Sequence, residues 1–217
     1  MKITKNIILL ILGLIIISFP GCRKQWDATQ ADMTEYAWDM FESGDYATSN
    51  EWFLNATELD PSYKDAFNGL GWSYGKLREM ETELDSSIKY FERGLLMAED
   101  VNILVSLEHE ILAGLCFAYN ANGEDSLAII RGNLLLDAIS EEWEFSHNPS
   151  LNYHDILITV ASSNYFIGDF STSLLHVQTV RQLLDPNALL FSPDIETVIG
   201  RQILAEELET LRGIVSQ

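Results

Sequence analysis

From Met33 to Pro61 the apolar and small positions fall at helical spacing twice over. Met33, Tyr36, Ala37 and Met40 share one face; beyond Gly44 and Tyr46 a second face carries Ser49, Trp52, Phe53 and Ala56. Steps of three and four bring side chains to one side of an α-helix, so this stretch predicts two helices joined at a glycine turn. Thirty-four residues after Ala37 stands Gly71, in a run where Phe67, Leu70 and Tyr74 repeat the first pattern. A third unit has Leu112, Leu115, Cys116 and Tyr119, a turn at Gly123, then Ala128 and Leu135. A fourth has Leu157, Val160, Ala161 and Asn164, the turn "GDF" from Gly168 to Phe170, then Ser173, Val177 and Val180, closed by Pro186. Strand signals are nearly absent, which predicts an all-α class.

The recurring order of an aromatic, Leu-Gly, Tyr, Gly, Ala, Phe, Ala and Pro resembles the tetratricopeptide repeat. The resemblance implies a right-handed α-solenoid of antiparallel helix pairs, about four repeats over residues 31–186, with the first helices lining a concave groove. Two helices approach closely only where side chains are slight, so Ala37 or Gly71 is expected to face a small partner such as Ala56. Two intervals exceed the period: Gly71 to Cys116 and Cys116 to Ala161 are 45 residues each. The first excess is assigned to the turn in "REMETELDSS" and to helices extended around Met97 to Leu107, the second to a loop from Ser140 to Tyr153. Residues 187–217 are expected to form a loop and a C-terminal capping helix, opened by Ser192 and Pro193, with Ile195, Val198, Ile199 and Ile203 as its apolar face.

The N-terminus follows another pattern. Lys2 and Lys5 precede the apolar run "NIILLILGLIIISF", Asn6 to Phe19, which is short for a membrane span and reads as an export signal. Gly21 and Cys22 then resemble a bacterial lipoprotein signal, although Phe19 and Pro20 stand where that family favours an aliphatic and a small residue. The resemblance implies removal of residues 1–21, acylation of Cys22 and a lipid-anchored tether over 22–30. An uncleaved anchor and a plain secretory signal are the alternatives. With no Asp after the cysteine, the implied location is the bacterial cell envelope, at the outer membrane facing the periplasm.

Composition narrows the function classes. The chain has 217 residues, 47% of them hydrophobic, enough for a sizeable core. Asp and Glu number 33 against 13 Lys and Arg, and the formal charge of -20 repels nucleic acid. Cys22 and Cys116 allow no disulfide framework, and Cys116, in "LAGLCFAYN", is expected to be a buried structural thiol. His109, His147, His154 and His176 lack the spacing of a metal site. No phosphate-binding glycine loop and no nucleophile elbow occur, so no metal, cofactor or enzymatic activity is expected.

The informative feature is aromatic. The residue after each small position, Trp38, Trp72, Phe117 and Ser162, is turned about 100° from the core line. Phe41, Asn68, Asn120 and Tyr165 continue that second stripe. By the resemblance, Trp38, Phe41, Asn68, Trp72, Phe117, Asn120 and Tyr165 are expected to line a ligand groove, since aromatic faces with interspersed amides suit an extended peptide or a glycan. The expected function is a membrane-anchored interaction scaffold or assembly factor with a protein or peptide partner in the envelope. The alternative is a glycan- or solute-binding lipoprotein serving a transporter. A competing expectation is that an insert covers the stripe and buries Trp38 and Trp72 as core.

Overall fold

The computed structural model describes residues 28–77, 81–98 and 106–215. The export signal and Cys22 lie outside the described residues. Within them, helices follow one another in antiparallel pairs. The pairs are α1 (Gln30–Glu42) with α2 (Tyr46–Leu59), α3 (Lys64–Leu77) with α4 (Glu81–Leu95), α5 (Leu107–Ala121) with α6 (Asp125–Leu136), and α7 (Tyr153–Phe166) with α8 (Phe170–Leu184). The helix α9 (Val198–Val215) closes the array against α7 and α8.

The turns inside the first and last pairs are built alike. Gly44 and Gly168 take φ of 87° and 86°, a region that side chains disfavour. The aspartate that follows caps the next helix: Asp45 accepts from the Thr48 N–H at 3.1 Å and Asp169 from the Thr172 N–H at 3.0 Å.

The small positions Ala37, Gly71, Cys116 and Ala161 are all buried. Gly71, however, does not face a small partner. A Cβ there would lie 2.3 Å from the Phe91 ring, and one at Gly114 would lie 2.1 Å from it. Phe91 therefore wedges from α4 between α3 and α5, and Phe53 of α2 seats the same way on Gly69. The missing side chain makes a slot for a phenyl ring, which gains more contact area than two small residues facing each other.

First helices lie against one another from pair to pair, α1 on α3, α3 on α5 and α5 on α7. They form the inner row of the array. Three expectations about the connections need correction. Leu96 to Ala98 are not helical, so α4 is not extended through Met97; residues 99–105 lie outside the described residues. The closing helix begins at Val198, not Pro193, because Thr197 Oγ1 accepts from the Gly200 N–H at 3.0 Å and the Asp194 carbonyl packs where a Gly200 Cβ would be. Its buried face is Gly200, Leu204, Leu208 and Leu211, while Val198, Ile199 and Ile203 are exposed.

Finally, the expected loop from Ser140 to Tyr153 contains an antiparallel hairpin, β1 (Glu144–Phe145) with β2 (Asn148–Asn152), irregular between Glu144 and Phe145. Asn152 ends it and caps α7 in a reciprocal pair with Asp155. A lone two-stranded hairpin is marginal in water. The surface beneath it must hold it in place.

Candidate functional site

That surface is the inner row. Phe145 is fully buried and stacks on Trp72, with centroids 4.2 Å apart and planes 20° from parallel. Two residues on, His147 lies flat on Trp38 at 3.6 Å and 2°. Between the two rings, Ser146 donates to Glu110 Oε1 through its Oγ at 2.5 Å and its N–H at 3.4 Å. Glu110, 1% exposed, accepts at Oε2 from Asn68 Nδ2 at 2.7 Å. His147 Nδ1 also sits 2.9 Å from Glu42 Oε1. Three consecutive residues of the insert thus each meet a dedicated partner on α1, α3 or α5.

The expectation of an open groove is corrected by this arrangement. Trp38, Phe41, Asn68 and Trp72 are buried, and Phe117 is half-buried with its ring 6.2 Å from Trp72. These five gather in one cluster under or beside the hairpin. The other two sit elsewhere: Asn120 Nδ2 donates to Ser163 Oγ at 2.9 Å and to Asp125 at 3.2 Å, and Tyr165 meets Phe170 edge-on at 5.1 Å. The fourth slot is closed as well, since Ser162 Oγ accepts from Arg212 of α9 at 3.0 Å. On α1 the buried set is Thr34, Ala37, Trp38 and Phe41, and Tyr36 from the expected core face is 43% exposed. No preceding helix pair covers Tyr36 among the described residues, whereas the insert covers the other stripe.

Four residues of the site escape sequence reasoning: Asp65, Glu110, Phe145 and His147. Phe145 and His147 lie in the acidic insert "SEEWEFSHNPSLNY", where the alternating Trp143, Phe145 and His147 were the available signal. Glu110 sits on a helix in a chain rich in carboxylates, and nothing local marks it as buried.

The electrostatics are those of an acid cluster around one imidazole. Asp65 accepts from Trp38 Nε1 at 3.1 Å. Burial pushes its carboxyl up to about 6, with the Glu110 charge adding to the rise and the Trp38 bond and His147 opposing it. Beside the His147 and Trp38 stack opens a cavity of about 380 Å³, lined in part by Glu35, Asp39, Glu42 and Asp65. Beneath the hairpin two buried polar atoms of α3, Trp72 Nε1 and Asn68 Oδ1, have no hydrogen-bond partner, and neither has Thr34 Oγ1 in the cavity lining. Each such buried atom costs about 1–3 kcal/mol. The hairpin is therefore an incomplete match for the surface it covers.

Burial pushes the Cys116 thiol up to about 12, leaving almost no thiolate, and among the described residues no group of three metal-ligating side chains converges.

No family model matches the chain, and no curated protein matches it. Among solved structures, it is similar to MamA of AMB-1, with 14% identity, 85% of this chain and 90% of that one covered, and a TM-score of 0.55. It is also similar to a tetratricopeptide repeat protein from Parabacteroides merdae, with 14% identity, 86% of this chain covered, and a TM-score of 0.53. The match spans 62% of the latter protein. These likenesses establish the fold, an all-α solenoid of the tetratricopeptide-repeat type.

Proposed function

We propose that the chain is a lipid-anchored interaction scaffold of the bacterial cell envelope, recognising a protein partner along the inner face of its helix-pair array. The observation that carries this reading is that the inner face already holds polypeptide. Phe145 and the hairpin turn Ser146–His147 lie across it, each side chain met by a ring or a carboxylate. A surface that orders a marginal hairpin of its own chain has the shape and chemistry for a similar segment of another. The tetratricopeptide-type neighbours fit such a role, and no catalytic constellation competes with it among the described residues.

The anchor rests on Gly21 and Cys22 and on the apolar run before them. It puts the array within a short tether of the bilayer, facing the periplasm of the outer membrane. The glycan reading loses its main support, because the faces of Trp38 and Trp72 that would stack on a sugar are taken by His147 and Phe145.

Two experiments test the proposal. Metabolic labelling with an alkyne fatty acid should mark the wild-type protein and not Cys22→Ser, which should leave the membrane fraction; equal labelling of both removes the anchor. Crosslinking in intact cells with mass spectrometry should recover one defined envelope protein, in contact with α1, α3 or α5. Crosslinks confined to α2, α4 and α6 would contradict the inner-face reading.

A further inference from the structure

The hairpin is in effect a bound ligand, and its residues show what the surface accepts. The Phe145 position demands an aromatic ring on Trp72. At the Ser146 position a small hydroxyl is required, since Glu110 accepts from both Ser146 Oγ and its N–H. The His147 position demands a flat group on the Trp38 face, and that group lies among carboxylates: Glu42 at 2.9 Å, with Asp65, Glu35 and Asp39 around the adjoining cavity. A guanidinium is planar, always charged and stacks on indole, so it meets those conditions better than an imidazole.

We propose that Trp38, Asn68, Trp72 and Glu110 form a recognition site for a turn-forming partner segment reading aromatic, Ser or Thr, Arg, and that Phe145–Ser146–His147, the end of β1 and the hairpin turn, occupies this site in cis until such a segment displaces it. The inference rests on the scaffold reading and names the partner's chemistry. The unpartnered Trp72 Nε1 and Asn68 Oδ1 supply a further margin for a partner that pairs with them. Displacement is needed because a tethered segment acts at an effective concentration on the order of millimolar. A free peptide with the same side chains loses to it, and only a better one wins.

The test uses the full chain and labelled synthetic peptides. One variant replaces residues 141–151 by a Gly/Ser segment of equal length, which empties the floor. The peptide Trp143–Pro149 should bind this variant about a hundredfold more tightly than it binds the wild-type protein. The same peptide carrying His147→Arg should bind about tenfold more tightly still, and one carrying Phe145→Ala and His147→Ala should not bind. A folded variant that takes none of the peptides, or equal binding to both proteins, overturns the proposal.

Should the emptied variant fail to fold, hydrogen exchange of the wild-type protein decides. The Ser146 and Tyr153 amides should exchange at least about tenfold faster than those in the middle of α5, and faster again with the Arg peptide. Exchange of both amides only through global unfolding overturns the proposal. Capture of an inner-face partner without release of the hairpin would sink this inference and leave the scaffold reading standing. Peptide binding with no partner captured would do the reverse.

Discussion

His147 lies face to face on Trp38, their centroids 3.6 Å apart and their planes 2° from parallel, although 109 positions separate them in the chain. Together with Phe145 on Trp72, this contact makes an insert between the third and fourth helix pairs part of the core of the first two. Phe145→Ala should therefore lower stability by about 3–5 kcal/mol, as expected for a fully buried ring. His147→Ala, which loses mainly the stack, should cost about 0.5–1.5 kcal/mol. Urea denaturation measures both, and tryptophan emission should move to the red in the Phe145 variant as Trp72 gains water. A Phe145→Ala loss below about 1 kcal/mol would mean that the hairpin is not seated.

Asp65 makes stability depend on pH in a definite direction. Its folded carboxyl titrates at about 6, against the ordinary aspartate value of 3.8. Between those values the folded protein holds a proton that the unfolded chain releases. The contribution is thus fully present below about pH 4 and lost as pH rises through about 6. Glu110 and His147 face the same group and carry part of the effect. Asp65→Asn keeps an acceptor for Trp38 Nε1 and removes the ionisation, so at pH 8 it should be more stable than the wild type by at most about 3 kcal/mol. The difference between the two proteins should vanish near pH 4; a pH-independent difference contradicts this assignment.

Glu110 joins the hairpin to the helices. Glu110→Ala removes the acceptor that Asn68 Nδ2 and Ser146 share and should cost about 2–4 kcal/mol. Because the lost bonds span α3, α5 and the hairpin, combining it with Ser146→Ala should cost less than the sum of the two single changes. Additive losses in a double-mutant cycle would show that the pair does not interact.

Packing against glycine gives a further check. Gly114→Ala places a methyl inside the Phe91 ring position and should destabilise by about 1–3 kcal/mol. Phe91→Leu in the same chain should recover part of that loss. Cys116, fully buried with its thiol pushed up to about 12, should react with a thiol reagent in the folded protein only at the rate of unfolding.

The helix pairs were legible because each carries its own local signal. The 34-residue echo of Ala37 at Gly71, the Gly-Asp-aromatic turns and the buried positions Leu112, Leu115, Val160 and Val177 all follow from spacing three or four along one helix. What escaped depends on contacts between distant segments. No local pattern at Trp38 announces that His147 will cover it, and the alternation of Trp143, Phe145 and His147 spans only three positions, too few to tell a strand from a loop. The closing helix is present as expected, and its buried face differs from the expected one for a related reason. Ile199 and Ile203 obey helical spacing as well as Leu204 and Leu208 do, and only the position of α7 and α8 decides which stripe is buried.

The central claim is that the inner aromatic stripe is occupied by the chain's own insert, and proton NMR with labelled His, Phe and Trp rings tests it most directly. Cross-relaxation should connect the His147 ring to Trp38 and the Phe145 ring to Trp72, with the His147 ring protons moved upfield by the indole beneath them. Absence of both connections in a folded sample, with His147 at the shifts of a solvent-exposed imidazole, would contradict it.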